Sequence, residues 1–289
     1  MQVCEKITRK SASNLALAFI LLPKHKRRAM SALYAFCREV DDVADDESIE
    51  TEQRRLQLTA WRKDVESACL GIEPQFEVTK ELSTIIHSYH LPFSLFDELI
   101  RGVEMDLDVN RYETIQDLEA YCYRVASVVG LLSVEIFGYQ NKDTRNYAIY
   151  LGKALQLTNI LRDVHNDALR GRIYIPMEQL RAFGVRPEDI LQGKYTPQYY
   201  SCARWMAERA KEFYSKARLS LPEIDRNSMN TSELMGSVYW NVLEKITKQQ
   251  FNVFDHPEAK LSKLQKLRLI GRIWMRQLLR VSTPNYGTT

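Results

Sequence analysis

LGKALQLTNILRDVHND, residues 151–167, combines the spacing of an amphipathic helix with a stripe of polar side chains. The stripe recurs at intervals of three, four and four residues, which places it within an arc of roughly 80° on a helix. Its members are Gln156, Asn159, Asp163 and Asp167. Leucine and isoleucine flank the stripe, so this face is costly to bury unless the polar groups are paired or bind a metal ion.

The rest of the chain carries the same helical periodicity, and the period-2 alternation of strands is hard to find. Only 11 Gly and 9 Pro interrupt the 289 residues, and no Ser-, Gly- or Pro-rich linker divides them. We therefore predict an all-α fold in a single domain spanning residues 1–289, with a less regular insert between 170 and 198. The predicted helices cover roughly 24–46, 50–69, 76–89, 93–109, 115–137, 142–169, 197–222, 229–254 and 259–281.

Composition narrows the functional classes. The formal net charge of +3 is too small for the concentrated basic face of a nucleic-acid-binding protein, so no nucleic-acid partner is expected. Five well-separated cysteines without a CxxC pair suggest neither a disulfide framework nor a zinc site, and a cytoplasmic location fits best. The apolar run at 15–22 has only eight residues and is followed by Pro23 and basic residues instead of a small-residue cleavage site, so we do not expect a signal peptide. No stretch approaches the roughly 20 apolar residues of a membrane-spanning helix.

A first acidic cluster lies in YAFCREVDDVADD, residues 34–46. On a helix, its members fall within an arc of roughly 100°: Arg38, Asp41, Asp42 and Asp45. Stacked carboxylates repel each other, and a divalent cation relieves that repulsion, while an arginine fork suits phosphate. The alternative is a solvated acidic end of a surface helix.

The second cluster, in 151–167, has its own alternative, a satisfied polar network between helices. Two such clusters about 120 residues apart favour helices that face each other across a cavity and bind a metal–diphosphate group. Other phosphate-binding patterns are missing from the sequence, because neither GxGxxG nor GxxxxGK[ST] occurs.

At these residues the chain resembles the squalene/phytoene synthase family. The resemblance runs from about residue 4 to 255 and rests on LLPKHKRRAMSALYAFCREVDDVAD, on YCYRVASVVG from Tyr121, and on LGKALQLTNILRDVHNDALRGRIYIP. It implies an isoprenoid-synthase helical bundle around a central cavity. It also implies head-to-head (1′–1) condensation of two farnesyl diphosphates to presqualene diphosphate, as in bacterial synthases of the hopanoid route.

The resemblance also implies roles for individual residues. Two or three diphosphate-bridged Mg²⁺ ions would be held by Asp41, Asp42, Asp45, Asp163 and Asp167. The substrate would contact Arg38, Gln156, Asn159, Arg162, Arg172, Tyr239, Ser13, Tyr34 and Phe19. Tyr121 would lie near the reacting carbons. Relatives carry Gly-Glu-Asp where this chain has His165, Asn166 and Asp167, so the second cluster has one fewer carboxylate.

Within the family, a presqualene-forming enzyme is expected to need no NADPH. Two alternatives stay open: a phytoene synthase acting on geranylgeranyl diphosphate, and a catalytically silent member acting as a scaffold. The segment from Lys260 to Arg280 holds seven Lys or Arg residues, no acidic residue and regularly spaced apolar ones. Such a helix either packs on the body of the protein or lies on the inner face of an anionic membrane.

Overall fold

The computed structural model describes residues 2–10, 18–256, 259–278 and 286. This part of the chain is helical, and its only β-type pairing is an isolated bridge between Arg111 and Ile173. The α-helices are α1 Gln2–Lys10, α2 Lys24–Asp45, α3 Thr51–Cys69, α4 Glu77–Tyr89, α5 Phe93–Asp108, α6 Ile115–Cys122, α7 Val128–Phe137, α8 Thr144–Leu169, α9 Met177–Phe183, α10 Pro187–Leu191, α11 Pro197–Ser220, α12 Asn230–Lys248 and α13 Lys263–Leu278. Two 3-10 turns, Phe19–Leu21 and Glu223–Asp225, and a π-helical turn, Tyr123–Ser127, complete the helical segments.

The all-α prediction is confirmed, with differences at particular places. The prediction missed α1, and the insert, which was predicted to be less regular, holds two short helices, α9 and α10. The helix predicted to reach 254 ends at Lys248. It stops there because Gln250 and Phe251 have φ of 54° and 60°, and a left-handed backbone cannot continue an α-helix.

Local sequence accounts for several helix ends. The Thr114 hydroxyl accepts from the Asp117 amide, and the Asp117 side chain accepts from the Thr114 amide, which forms a capping box at the start of α6. α4 ends at His90, which adopts the left-handed conformation that closes many helices. α11 begins at Pro197, where the missing amide proton costs nothing.

Helix α8 lies at the centre of the bundle. It packs most extensively against α11 and also contacts α7, α12 and the π turn. Gly152 lets the π turn approach closely, because a Cβ there would lie 2.6 Å from the Ser127 Cα. On the opposite side, a Cβ on Gly102 of α5 would lie 2.7 Å from the Arg124 Cβ. The absence of a side chain at these two glycines therefore lets α8 and α5 pack closely against the π turn.

The sequence analysis predicted no apolar stretch long enough to span a membrane, and this prediction was wrong. One helical segment is both long enough and apolar enough to do so. Residues Ile115–Phe137 meet both criteria, and 56% of that window is buried inside the protein. This segment comprises α6, the π turn and α7, and its apolar residues pack in the bundle interior. The composition thus reflects burial in the core, which also produces continuous apolar runs in helices.

Candidate functional site

The bundle encloses a cavity of about 840 Å³ among α2, α5, the π turn, α7, α8 and α12. Its volume lies within the range of small-molecule sites. One part of the lining is polar, with Arg38, Asp41, Asp106, Arg162 and Asp163. Much of the remaining wall is apolar and includes Met30, Leu33, Val103, Val134, Phe137 and Leu155. Such a cavity suits an amphiphilic ligand with an anionic head and a hydrocarbon chain.

The first predicted cluster lies at the C-terminal end of α2, and the structure separates its members. Arg38 and Asp41 line the cavity, whereas Asp42 and Asp45 are not among the lining residues. Arg38 donates to both carboxylate oxygens of Asp42, with Nε–Oδ2 of 3.1 Å and Nη2–Oδ1 of 2.5 Å. The Arg38 Nη1 also lies 3.6 Å from the Asp41 Oδ2. The predicted phosphate-binding fork is thus paired with carboxylates.

Asp45 lies at the end of α2 and connects this helix to the segment after α8. Its Oδ1 lies 3.3 Å from Arg170 Nη1 and 3.7 Å from Arg172 Nη1. Arg172 is mostly buried, and it too is not among the cavity-lining residues. These ion pairs bring residues 125 or more positions apart to one edge of the polar end.

The Asp41 side chain is 52% exposed, but it borders the cavity. The surrounding protein still displaces much of its hydration shell, and Asp45 is a nearby like charge. Loss of hydration, reinforced by Asp45, raises the pKa of Asp41 to about 7. A bound cation would therefore stabilise the charged form of Asp41.

The second predicted cluster lies along one face of α8. Gln156, Asn159, Arg162 and Asp163 line the cavity, whereas Asp167 does not. Arg162 forms a two-point ion pair with Asp163, Nε–Oδ1 2.8 Å and Nη2–Oδ2 2.6 Å. Burial, with Asp163 as a like-charged neighbour, raises the pKa of Asp167 to about 7.

The donors near both clusters suit a hard divalent cation. Within the described ranges, no three His, Cys, Asp or Glu side chains lie close enough to hold a metal ion as they stand. However, the Asn159 Oδ1 atom is buried without a hydrogen-bond partner, one helical turn from Asp163. An orphaned carbonyl oxygen beside a carboxylate is the type of ligand that Mg²⁺ accepts. The residues present therefore fit Mg²⁺.

The structure adds a third acidic group that the sequence analysis missed, Asp106 at the end of α5. It lines the cavity and accepts hydrogen bonds from the hydroxyls of Tyr121, at 3.0 Å, and Tyr174, at 2.9 Å. Loss of hydration raises the pKa of Asp106 to about 6, although hydrogen bonds from Tyr174 and Tyr121 and the charge of Arg172 oppose the rise. The only signal in the sequence is an acidic helix end, MDLD, which is common on surfaces.

Three tyrosine rings pack beside Asp106. Tyr121 lies 5.4 Å from both Tyr112 and Tyr174, measured between ring centroids. Burial and the Asp106 charge raise the pKa of Tyr121 well above its ordinary value, so this phenol stays protonated. Tyr174 belongs to the GRIYIP element, in which the family resemblance implies a substrate contact for Arg172 only.

The remaining predicted residues divide into two groups. Phe19, Tyr34 and Tyr239 line the cavity, and the rings of Phe19 and Tyr34 meet edge to face at 6.4 Å. Ser13 lies outside the described residues. Lys260, which was predicted only as part of the basic tail, lines the cavity as well.

Comparisons with known proteins agree with this architecture. A family model described as squalene/phytoene synthase matches residues 8–265. The 15-cis-phytoene synthase of Synechocystis is 31% identical, over 95% of this chain and 84% of the relative. The phytoene synthase of Mycobacterium tuberculosis is 36% identical, over 93% of this chain and 88% of the relative.

Solved structures show the same fold. A dehydrosqualene synthase in complex with a ligand superposes with a TM-score of 0.86 at 29% identity, covering 96% of both chains. The squalene synthase HpnC of Alicyclobacillus acidocaldarius superposes with a TM-score of 0.77 at 28% identity, covering 87% of this chain and 94% of the other. The fold, the cavity and the matched length lead to one conclusion: the chain belongs to the squalene/phytoene synthase family.

Proposed function

We propose that the protein catalyses the Mg²⁺-dependent 1′–1 condensation of two farnesyl diphosphates to presqualene diphosphate, with release of diphosphate. One observation carries this proposal: Arg38–Asp41 of α2 and Arg162–Asp163 of α8 line the same cavity, whose other walls are largely apolar. The polar end suits a diphosphate with its metal ions, and the apolar part suits two prenyl chains.

In this proposal the aspartates hold the metal ions and the arginines hold phosphate. Asp41, Asp42 and Asp45 would act from α2, and Asp163 and Asp167 from α8. Bound Mg²⁺ would neutralise the negative charge that develops on the departing diphosphate. Because the arginines of both clusters are paired with carboxylates, substrate binding requires them to exchange a carboxylate for a phosphate oxygen.

The remaining predicted residues would orient the hydrocarbon and the diphosphate. Gln156 and Asn159 offer amide groups at the polar end, and Tyr239 offers a hydroxyl. The rings of Phe19 and Tyr34 border the same space, and an aromatic face stabilises a cation close to it. Holding both chains in register would supply a large share of the rate enhancement.

A second candidate is a phytoene synthase that condenses two geranylgeranyl diphosphates. The observation that favours it is the name of the curated relatives, which are phytoene synthases at 31% and 36% identity. The two substrates differ by one five-carbon unit per chain, so the two functions differ in the length of apolar cavity that each requires.

Product analysis distinguishes these functions. The purified protein is incubated with Mg²⁺ and farnesyl or geranylgeranyl diphosphate separately, with and without NADPH, and the products are identified by mass spectrometry. We expect presqualene diphosphate from the farnesyl substrate in both conditions. Phytoene from the longer substrate alone would favour the second candidate, and squalene formed only with NADPH would contradict a reaction that stops at presqualene diphosphate.

Matched variants test whether the site is catalytic at all. Asp163→Asn removes a carboxylate from the cavity, whereas Asp108→Asn changes an exposed aspartate that pairs with Arg55 outside it. We expect diphosphate release to fall about 100-fold or more in the first variant, since a lost metal-ligand charge removes several kcal/mol of transition-state stabilisation. Equal background release from the wild type and both variants would leave only the scaffold role.

We also propose that α13 lies on an anionic membrane surface. Leu264, Leu267 and Met275 are 58%, 65% and 58% exposed, and on a helix they fall within roughly 80° of each other. The segment from Lys260 to Arg280 contains seven basic residues and no acidic one. An apolar stripe with basic neighbours is typical of helices that bind anionic lipid.

Vesicle sedimentation tests the membrane contact. The double variant Leu264→Ser/Leu267→Ser should lose binding to vesicles that contain phosphatidylglycerol. The control Leu56→Ser, on α3, removes an equally exposed leucine from another surface and should bind as the wild type does. Equal binding by all three proteins would remove the role of α13.

A further inference from the structure

Among the described acidic residues that line the cavity, Asp106 alone contacts Tyr121, the tyrosine that the resemblance places near the reacting carbons. Its Oδ2 atom accepts the hydroxyl of Tyr121 at 3.0 Å, and its Oδ1 atom accepts the hydroxyl of Tyr174 at 2.9 Å. Both Asp106 and Tyr121 line the cavity. Each oxygen of this carboxylate is therefore committed to one tyrosine at the polar end of the site.

This arrangement orients the Tyr121 hydroxyl. A phenol has one O–H donor and two acceptor lone pairs. Because the donor points at Asp106, the lone pairs of the same oxygen remain for other partners. The ring cannot turn freely, since it is buried and packs against both Tyr112 and Tyr174.

The main chain of Asp106 is held as well. Arg172 donates to the main-chain oxygen of Asp106 at 3.3 Å, and the same guanidinium lies 3.7 Å from Asp45 of the first cluster. Asp106 is therefore fixed at the junction of α5, α6 and the segment after α8. A group held in this way suits proton transfer, which requires a short and constant donor–acceptor distance.

We propose that Asp106 is a positioning residue that receives, through the hydroxyl of Tyr121, the proton lost when the cyclopropane ring closes. This inference rests on the proposed condensation and names the base in it. Tyr121 by itself is a poor base, because a neutral phenol holds an added proton only weakly. The Asp106 carboxylate, which accepts the Tyr121 hydroxyl, can take up the hydroxyl proton as Tyr121 binds the proton from the substrate.

The transfer balances without a further reactant. After the first carbon–carbon bond forms, the carbon that carried the departing diphosphate loses a proton. The electron pair of that C–H bond closes the three-membered ring onto the cationic carbon. The proton binds to the Tyr121 oxygen while the hydroxyl proton of Tyr121 passes to Asp106 Oδ2, so that Tyr121 ends neutral and Asp106 ends protonated.

The test measures how the first allylic cation is partitioned. Asp106→Asn keeps an oxygen that can accept from a tyrosine but is a far weaker base. Ionisation precedes the proton transfer, so we expect diphosphate release to continue while condensed product falls about 100-fold, the lower end of what general base catalysis contributes. Without a base, the first carbon–carbon bond should reopen to the allylic cation, which water then captures, so farnesol should become the main product.

Three controls separate this role from others. Tyr174→Phe removes the second hydrogen bond to Asp106 and keeps the Tyr121 contact, so the ratio of farnesol to condensed product should stay near that of the wild type. Tyr121→Phe removes the relay atom and should shift the ratio as Asp106→Asn does, which also serves if the Asp106 variant fails to fold. The Mg²⁺ concentration that supports half-maximal diphosphate release should not change in Asp106→Asn.

The outcomes are distinguishable. If the wild type forms no condensed product from either prenyl diphosphate, the proposed function itself fails. If the wild type condenses its substrate and the Asp106→Asn and Tyr121→Phe variants keep its product ratio, only the inference about Asp106 is overturned. A parallel loss of diphosphate release and condensed product in Asp106→Asn, or a shifted Mg²⁺ requirement, would assign Asp106 to substrate or metal binding and would also overturn it.

Discussion

Replacing Gly152 with alanine is expected to lower the melting temperature of the protein by about 3 °C. Gly152 faces the π turn, and a Cβ at this position would lie 2.6 Å from the Ser127 Cα, 2.7 Å from the Ser127 nitrogen and 2.9 Å from the Ala126 carbonyl carbon. All three neighbours are main-chain atoms, so no side-chain rotation relieves the contact. The two segments must move apart.

The size of the effect follows from these distances. Carbon atoms in contact prefer about 3.5–4.0 Å, so α8 and the π turn must separate by about 1 Å. Overpacking of this kind costs about 3 kcal/mol at the upper end of its usual range, and the better helix propensity of alanine returns about 1 kcal/mol. With an unfolding entropy of about 0.6 kcal/mol/K for 289 residues, the net 2 kcal/mol corresponds to about 3 °C.

The assay is a thermal melt followed by circular dichroism at one scan rate, with Gly271→Ala as the matched control. Gly271 is also helical, but its added Cβ would meet nothing within 4 Å. The control should therefore melt at or slightly above the wild-type temperature, because alanine favours the helix. The reasoning is refuted if Gly152→Ala melts no lower than the wild type.

Three further predictions follow from other contacts. Because loss of hydration beside the cavity, reinforced by Asp45, raises the pKa of Asp41 to about 7, the folded protein binds this proton more tightly than the unfolded chain does. The contribution of Asp41 to stability therefore falls as the pH rises from about 4 through 7. The melting temperature of Asp41→Asn minus that of the wild type should therefore grow between pH 5 and pH 8, and a constant difference would contradict the raised pKa. Gly236→Ala would place a Cβ 2.5 Å from Cε1 of Tyr286. In denaturant melts, this substitution should therefore lower the free energy of unfolding more in the wild type than in a Tyr286→Ala background, by about 1 kcal/mol or more. Equal effects in the two backgrounds would rule out this contact. Asp225→Ala should lower the free energy of unfolding by about 3 kcal/mol, because three groups donate to this buried carboxylate: the amides of Gln140 and Asn141 and the hydroxyl of Thr144. A urea midpoint equal to that of the wild type would show that these donors find other partners.

The helices and the polar stripe of α8 could be read from the sequence because both depend on local spacing. A period of 3.6 residues places Gln156, Asn159 and Asp163 on one face of a helix, and the structure has all three lining the cavity. Arg38 and Asp41 followed from the same reasoning on α2. Helix ends were less predictable where backbone conformation decided them, as at Gln250 and Phe251.

The grouping of side chains from separate helices could not be read in this way. Asp106 accepts from Tyr121, 15 positions away, and from Tyr174, 68 positions away, and no local pattern relates three such residues. Nor did the acidic clusters indicate which carboxylates border the cavity: Asp41 and Asp163 line it, while Asp42 and Asp45 pair with arginines beside it.

Sequence by itself determined an all-helical chain with two acidic helix faces, because helix periodicity and the cost of burying charge act over a few residues. Only the tertiary structure decided which charges meet. That outcome depends on close helix packing, such as the approach of the π turn to Gly152, and on ion pairs between distant segments, such as that of Asp45 with Arg172. Both arise from the three-dimensional packing of the bundle, which brings together residues that are far apart in the sequence.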